Sequence, residues 1–198
     1  MTLPFEIQSA LTILECDYDA FTEDTTGANG YLFFARNKIS AQEVAIKFYS
    51  GEPGISRHRE PQLLAQISSE NVLAIYDARS ISNDWAYFIT KRCTDGDLDS
   101  VIRTKPSAHS AFDLAIGVCN GVSAIHAQNM VHRDLKPANI VCDNGVPKIA
   151  DFGSVREIHT GHECISGSQH SILYRPPESF EEGIYSFRGD IYQIGLLL

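Results

Sequence analysis

The sequence predicts an α+β protein of two lobes: a small antiparallel β lobe with one helix, then a larger, mainly helical lobe. Short runs of β-branched and aromatic residues fill residues 11–90, and Gly, Asn, Asp and Ser separate them. After the polar joint K-R-C-T-D-G-D, apolar residues recur at helical spacing instead. This change predicts a first lobe at residues 1–90, a hinge at 91–96 and a second lobe at 97–198.

The first lobe is expected to hold four strands and one helix. The strand-like runs are Y-L-F-F-A, E-V-A-I-K-F-Y, N-V-L-A-I-Y and D-W-A-Y-F-I-T. The helix is predicted at residues 56–67, where Glu60, Leu64 and Ile67 share one face. Because a proline fits only the first turn of a helix, Pro61 requires this helix to begin near residues 56–60.

The second lobe opens with a long, largely buried helix, in which Leu114, Val118, Val122 and Ile125 keep helical spacing. Further on, I-V-C-D-N-G-V-P-K-I-A predicts a hairpin that turns at Asn-Gly. Counting outward from that turn sets Asn139 opposite Ala150, so the side chains of Asn139 and Asp151 are expected close together. Two oxygen ligands would then converge, as a magnesium ion requires.

Composition excludes several classes of protein. The 198 residues are 43% hydrophobic and carry a net charge of −9, which argues against a nucleic-acid partner held by phosphate contacts. Five cysteines are scattered without any C-x-x-C pair, so a reducing cytoplasm is expected rather than a disulfide framework or zinc knuckle. No basic leader and no apolar run of membrane-spanning length is present, so no membrane partner is expected.

Two motifs carry the chemistry: V-H-R-D-L-K-P-A-N at residues 131–139 and D-F-G at residues 151–153. Together they resemble the catalytic loop and magnesium-binding segment of protein kinases. The resemblance covers nearly the whole chain and implies the two-lobed protein-kinase-like fold, with ATP and Mg²⁺ as cofactors. It also implies a protein as the substrate.

The resemblance assigns a role to each matching residue. Asp134 would accept the proton of the attacking hydroxyl, and Lys136 would lie against the transferred phosphoryl group. Asn139 and Asp151 would hold the metal ion. Asp190, in turn, would anchor an internal spine of apolar residues. The alternative, an Asp and an Asn that only cap a turn, is disfavoured by the two motifs together.

The nucleotide residues of the first lobe start from V-A-I-K, in which Ala45 and Lys47 share one face of a strand. Ala45 would leave room for adenine, while Lys47 would reach the phosphates and pair with Glu60. A lysine that ends a strand is otherwise usually just exposed. The further residues assigned to the nucleotide are Gly27, Gly30, Leu32, Thr90, Arg92, Cys93 and Val141.

The phosphate-covering loop departs from the family pattern, because Thr25 replaces its first glycine. Alone, this loop would be read as an ordinary hairpin turn. Asp97 is equally open, since it would either lie near the ribose or supply charge to the start of a helix.

Residues 154–170 resemble the activation segment, and S-I-L-Y-R-P-P-E resembles its closing motif, which small-molecule kinases lack. Lys136 resembles Ser/Thr rather than tyrosine kinases. Arg133, beside the base, resembles the arginine of kinases in which phosphorylation orders the activation segment, because the phosphate pairs with a basic pocket. The candidate phosphate acceptors are Thr160, Ser166 and Ser168. A zinc site is a minor alternative that would use His159, His162, Cys164 and His170.

Two rival functions remain at this stage: a pseudokinase that acts by contact, and a small-molecule kinase. The final run S-F-R-G-D-I-Y-Q-I-G-L-L-L resembles the start of the central helix of the large lobe, which would then be truncated. Its apolar side chains are expected to stay partly uncovered, from Ile194 through Leu196 to Leu198. A C-terminal remainder of the protein or a partner chain would supply the cover.

Overall fold

The computed structural model describes residues 3–24, 30–50, 59–158, 164–165, 172–181 and 183–197. For Arg59, Glu60, Cys164 and Ile165 it describes the backbone alone. The chain divides into two compact units, Met1–Ala65 with Ala74–Arg92 and Gln66–Leu73 with Cys93–Leu198. A search of the described helices finds none with the length and hydropathy that crossing a membrane requires.

The first unit is an antiparallel sheet with two helices, and its five strands lie in the order β1-β2-β3-β5-β4. Its elements are α1 (Phe5–Leu14), β1 (Tyr18–Asp24), β2 (Tyr31–Asn37), β3 (Glu43–Ser50), α2 (Arg59–Leu64), β4 (Ile75–Ser80) and β5 (Trp85–Lys91). The predicted α+β class and antiparallel first lobe are confirmed. Pro61 is the third described residue of α2 and so lies in its first turn, as its fixed φ requires.

Helix α1 covers one face of this sheet and was not predicted. Ile7, Ala10 and Leu14 recur at helical spacing and are buried against the sheet. The covered face includes Val44 and Ile46 of β3, together with Phe33, Ala35, Phe48, Tyr87 and Ile89. The alternation predicted for β3 is therefore confirmed, because its apolar side chains share the face that α1 covers.

The strand boundaries need two corrections. The run N-V-L-A-I-Y was expected to be a strand, but β4 begins only at Ile75. Val72 instead forms an isolated bridge with Ile149, and the Leu73 N–H donates to the Ile149 carbonyl at 3.0 Å. Residues 66–73, inside the predicted first lobe, thus belong to the second unit. Strand β1 also lies in a stretch for which no strand was predicted.

The second unit is mainly helical, with short paired strands. Its elements are α3 (Leu98–Arg103), α4 (Ala108–His126), β6 (Met130–Val131), β7 (Ile140–Asp143), β8 (Val146–Ile149), β9 (Arg156–Glu157), β10 (Cys164–Ile165), α5 (Pro177–Glu181), β11 (Ile184–Tyr185) and α6 (Phe187–Leu197). Single 3-10 turns occur at Pro137–Asn139, Phe152–Ser154 and Ile172–Tyr174. The long helix predicted from its apolar spacing is α4, which begins at Ala108.

The hairpin of β7 and β8 has the predicted register. Cys142 is paired with Pro147, and both turn residues, Asn144 and Gly145, have positive φ as a type I′ turn requires. The Ala150 N–H donates to the Asn139 carbonyl at 2.9 Å, which continues the register outward by one step. The hairpin therefore places Asn139 beside the residue that precedes Asp151.

Helix α6 confirms the predicted final helix. The expected exposure is confirmed for Leu196, which is 47% exposed, and for Leu197, which is partly exposed. It is wrong for Ile194, which is only 6% exposed because it faces the second unit's own helices. Leu198 lies outside the described residues.

Candidate active site

The backbone of H-R-D is held by one carboxylate. Oδ2 of Asp190, in the first turn of α6, accepts the His132 N–H at 2.9 Å, and Oδ1 accepts the Arg133 N–H at 2.9 Å. His126, at the end of α4, contacts Oδ2 through Nε2 at 2.8 Å. Burial by itself raises the pKa of Asp190, but the hydrogen bonds from His126 and from these backbone groups, with the nearby His132, lower it overall.

Asp134, the predicted base, is nearly buried and is contacted by two other predicted site residues. Lys136 Nζ lies 2.8 Å from Oδ2, and Asn139 Nδ2 donates to the same oxygen at 2.9 Å. Asn139 Nδ2 also donates to the Asp134 carbonyl at 2.8 Å, so the amide group fixes the backbone and the side chain together. The carboxylate is thereby oriented next to a cation.

The oxygen atoms suited to a metal lie at the open end of the hairpin. Because Nδ2 of Asn139 is used by Asp134, its Oδ1 is the atom left for a cation. Asp151 follows Ala150 in a left-handed conformation with φ of 59°. An amide oxygen and a carboxylate are hard ligands that suit Mg²⁺, which takes its remaining ligands from phosphates and water. Across the described ranges, no three His, Cys, Asp or Glu side chains form a metal site of their own.

His132 connects this loop to D-F-G. Its Nε2 lies 3.0 Å from the Ala150 carbonyl, and its Nδ1 accepts the Asp134 N–H at 3.4 Å, so the Nε2–H tautomer satisfies both contacts. Its ring meets Phe152 edge to face at 5.4 Å between centroids. His132 therefore contacts both Ala150 and Phe152, the residues before and after Asp151.

In the first unit, β3 presents Ala45 and Lys47 on the face opposite α1. Ala45 is paired with Phe34 on one side and Thr90 on the other, so small and flat groups surround it. Lys47 Nζ lies 5.6 Å from the centre of the Phe88 ring. Lys47 therefore places a cation on the same strand face as the small side chain of Ala45, which suits a purine and its phosphates.

Two of the residues predicted to bind the nucleotide, Thr90 and Arg92, form hydrogen bonds within the first unit. Thr90 is buried and its hydroxyl donates to the Ala74 carbonyl at 2.7 Å. The Arg92 N–H donates to the Glu43 carbonyl, and its guanidinium lies 4.3 Å from the Phe34 ring centre. Cys93 is partly buried. Any contact of Arg92 with adenine would thus have to use its carbonyl rather than its N–H.

The remaining predicted residues are only partly described. Gly30 has a φ of 130°, and a Cβ there would lie 2.2 Å from the Phe48 carbonyl oxygen, so only glycine fits. Leu32 is paired with Lys47 in the sheet, and Val141 lies in β7. Outside the described residues lie Gly27, the side chain of Glu60 and the candidate phosphate acceptors. The same holds for the zinc alternative, apart from the Cys164 backbone.

Two residues outside the predicted site also make informative contacts. Asp97 caps the N-terminus of α3, where its carboxylate accepts the Ser100 N–H at 2.8 Å, which favours the helix-charge interpretation. Gln193, one turn after Asp190 on α6, was missed although it contacts the catalytic loop directly. The only signal in the sequence was its spacing of three residues from Asp190, which places both on one helix face.

A groove of about 510 Å³ in the second unit is separate from this chemistry. It is lined by apolar residues of α3, α4 and α6, among them Ile102, Phe112 and Leu197. With no titratable group in its lining, it offers packing surface rather than catalysis.

Comparisons with known proteins agree with the interpretation of this site. A model of the protein kinase domain matches residues 25–198. Cyclin-dependent kinase 11 of Dictyostelium discoideum is 31% identical over 199 residues, which cover 96% of this chain and 55% of that protein. Protein-tyrosine kinase 6 of Mus musculus is 29% identical over 78% of this chain and 36% of its own length. Serine/threonine-protein kinase TIO of Arabidopsis thaliana is 26% identical over 92% of this chain and 14% of its own length.

Proposed function

Because the chain belongs to the protein kinase family, we propose that it transfers the γ-phosphoryl group of ATP to Ser or Thr hydroxyls of protein substrates. The observation that carries this proposal is the arrangement around Asp134, whose carboxylate is contacted by both Lys136 and Asn139. A turn-capping aspartate would need neither contact. A buried base with an adjacent cation is what phosphoryl transfer to a hydroxyl requires.

Each residue of the site contributes a separate element of the transfer. Asp134 accepts the proton of the substrate hydroxyl, while Lys136 stabilises negative charge on the transferred group. Asn139 and Asp151 are the residues that would hold Mg²⁺, and the ion would neutralise phosphate charge when bound. Lys47 is proposed to contact the phosphates, and Ala45 the adenine.

The choice of Ser or Thr over Tyr rests on Lys136, two residues after the base. The relatives carry both kinds of name, so this step belongs to the proposal rather than to family membership. Phosphoamino-acid analysis of a labelled protein substrate tests it directly. Phosphotyrosine as the main product would contradict the assignment while leaving the transfer reaction intact.

The test of the reaction uses purified protein, labelled ATP, Mg²⁺ and a generic basic protein as acceptor. Transfer is expected from the wild type, and Asp134→Asn, Lys47→Met and Asp151→Asn are expected to abolish it without unfolding the protein. Asp151→Asn should weaken ATP binding measured with Mg²⁺ more than ATP binding measured without metal, because it removes a metal ligand. Full activity in any of the three variants would refute the assignment.

The same assay separates the rival functions. A pseudokinase would bind nucleotide without transfer, and a small-molecule kinase would label a metabolite but no protein. We also propose a cytoplasmic location, supported by the five scattered cysteines.

A further inference from the structure

Gln193 is fully buried in α6 and has four polar neighbours. Its Oε1 accepts the Leu135 N–H at 2.9 Å and lies 3.0 Å from the Tyr185 hydroxyl, whose single proton it shares with Asp190 Oδ1. Its Nε2 donates to the Arg133 carbonyl at 3.2 Å and to the Tyr174 carbonyl at 3.0 Å. Two donors face the oxygen and two carbonyls face the nitrogen, so only this orientation of the amide satisfies every partner.

Two of these partners flank the proposed base. The Arg133 carbonyl precedes Asp134 and the Leu135 N–H follows it, so one side chain grips the backbone on both sides of that residue. Arg133 has a left-handed φ of 75°, a conformation that a non-glycine residue keeps only when its surroundings impose it. Asp190 holds the N–H of Arg133, and Gln193 holds its carbonyl.

The other two partners belong to the segment beyond the activation segment. Tyr174 ends the 3-10 turn Ile172–Tyr174, in which Ile172 and Leu173 are 75% and 87% exposed. Tyr185 lies in β11, and its hydroxyl is also 2.9 Å from Asp190 Oδ1. The side-chain amide of Gln193 therefore joins the catalytic loop to a turn whose two apolar side chains, Ile172 and Leu173, are exposed to solvent.

We propose that Gln193 is a positioning residue that fixes Asp134 relative to the turn Ile172–Tyr174. The proposal rests on the proposed kinase function and adds to it a residue that holds the backbone on both sides of the base. An apolar side chain at position 193 would remove the hydrogen-bond partner that Gln193 provides to two carbonyls and one backbone N–H. The loop would then relax, and the base would shift away from the hydroxyl that it deprotonates.

The test compares Gln193→Met, which keeps the side-chain length but removes both polar atoms, with Gln193→Glu, which keeps the acceptor and loses the donors. Tyr192→Phe is the control, because Tyr192 lies next to Gln193 on α6 but is 42% exposed. Amide hydrogen exchange at Leu135 reports the contact itself. Initial rates with ATP and a basic protein acceptor report its effect, and thermal melting reports the fold.

In Gln193→Met, the Leu135 amide should lose protection and kcat should fall by about tenfold to a hundredfold, as expected for a misplaced catalytic group. The KM for ATP should stay unchanged, since the residues proposed to contact the nucleotide are not partners of Gln193. Gln193→Glu should keep Leu135 protected yet lose activity, because its oxygens cannot donate to the two carbonyls. Tyr192→Phe should match the wild type in every readout.

Three results would overturn the proposal: unchanged Leu135 protection in Gln193→Met, lost protection with unchanged kcat, or a change confined to the KM for ATP. If Gln193→Met fails to fold, the rates and Leu135 exchange of Gln193→Glu decide. A wild type that transfers nothing, like Asp134→Asn, would instead refute the kinase function. Amide hydrogen exchange at Leu135 would still show in that case whether Gln193 holds the catalytic loop through this hydrogen bond.

Discussion

Replacing Ile7 by Ala should destabilise the first unit strongly, whereas replacing Ile13 by Ala should not. Both isoleucines lie on α1, but Ile7 is 0% exposed against the sheet and Ile13 is 67% exposed. The two substitutions remove the same three carbons and change helix propensity equally, so their difference isolates burial. Three buried carbons correspond to about 2.4 kcal/mol of transfer free energy at about 0.8 kcal/mol each.

The cavity left behind adds to this loss, which sets the expected decrease at about 2 to 5 kcal/mol for Ile7→Ala. For Ile13, only about a third of the side chain leaves water, and the better helix propensity of Ala offsets most of that loss, so the change should stay within about 0.5 kcal/mol. The result bears on catalysis because α1 covers the face of β3 that backs Ala45 and Lys47.

The assay is urea unfolding followed by tryptophan fluorescence. The chain has a single tryptophan, Trp85, which lies in β5 and packs partly buried against the same cluster as Ile7. Its signal therefore reports the environment of the sheet on which α1 packs. Equal midpoints for Ile7→Ala and Ile13→Ala would refute the packing of α1 on the sheet. A lower midpoint for Ile7→Ala with an unchanged slope would support it.

Two further predictions concern the second unit. Gly121→Ala in α4 should destabilise in thermal melting despite the higher helix propensity of Ala, because its Cβ would lie 2.5 Å from the Asn71 carbonyl oxygen. Gly195→Ala in α6, where nothing lies within 4 Å of the added carbon, should stabilise by up to about 1 kcal/mol, and the same sign for both would contradict this account. Asp190→Asn should destabilise most above the ordinary carboxyl pKa of 3.8, because the folded state lowers the pKa of Asp190 and so favours its charged form. In acid unfolding, the difference from wild type should shrink as the pH falls through that lowered pKa; a constant difference would mean that the charge of Asp190 is not what stabilises the loop.

The elements that sequence patterns predicted are those with strong local signals. The β7–β8 hairpin followed from Asn144-Gly145, because few other residue pairs reach two positive φ values so readily. Helix α4 followed from apolar residues at regular helical spacing over its length. The contact of Asn139 with Asp134, in contrast, could be expected only as a consequence of the motif, since nothing local requires an amide to reach five residues back.

The missed elements depend on tertiary contacts. Helix α1 carries its buried residues Ile7, Ala10 and Leu14 among exposed apolar ones such as Phe5 and Ile13, so the polar face that marks an amphipathic helix is weak. Gln193 was missed because a glutamine on a helix is ordinarily a solvated residue. Its burial is decided by what folds against α6, which the spacing of its own helix does not reveal.

The strained backbone of the site explains why the motifs need the rest of the fold. Arg133 and Asp151 both adopt left-handed φ values, 75° and 59°, that cost about 1 to 3 kcal/mol for a residue with a side chain. Neither position is a glycine, so the conformation must be imposed from outside. At Arg133 it is imposed by Asp190 and Gln193 of α6. Next to Asp151, the Ala150 N–H donates to the Asn139 carbonyl and the Ala150 carbonyl accepts from His132 Nε2. It follows that the geometry of the catalytic loop and of D-F-G depends on the contacts that α6 and the hairpin make with them.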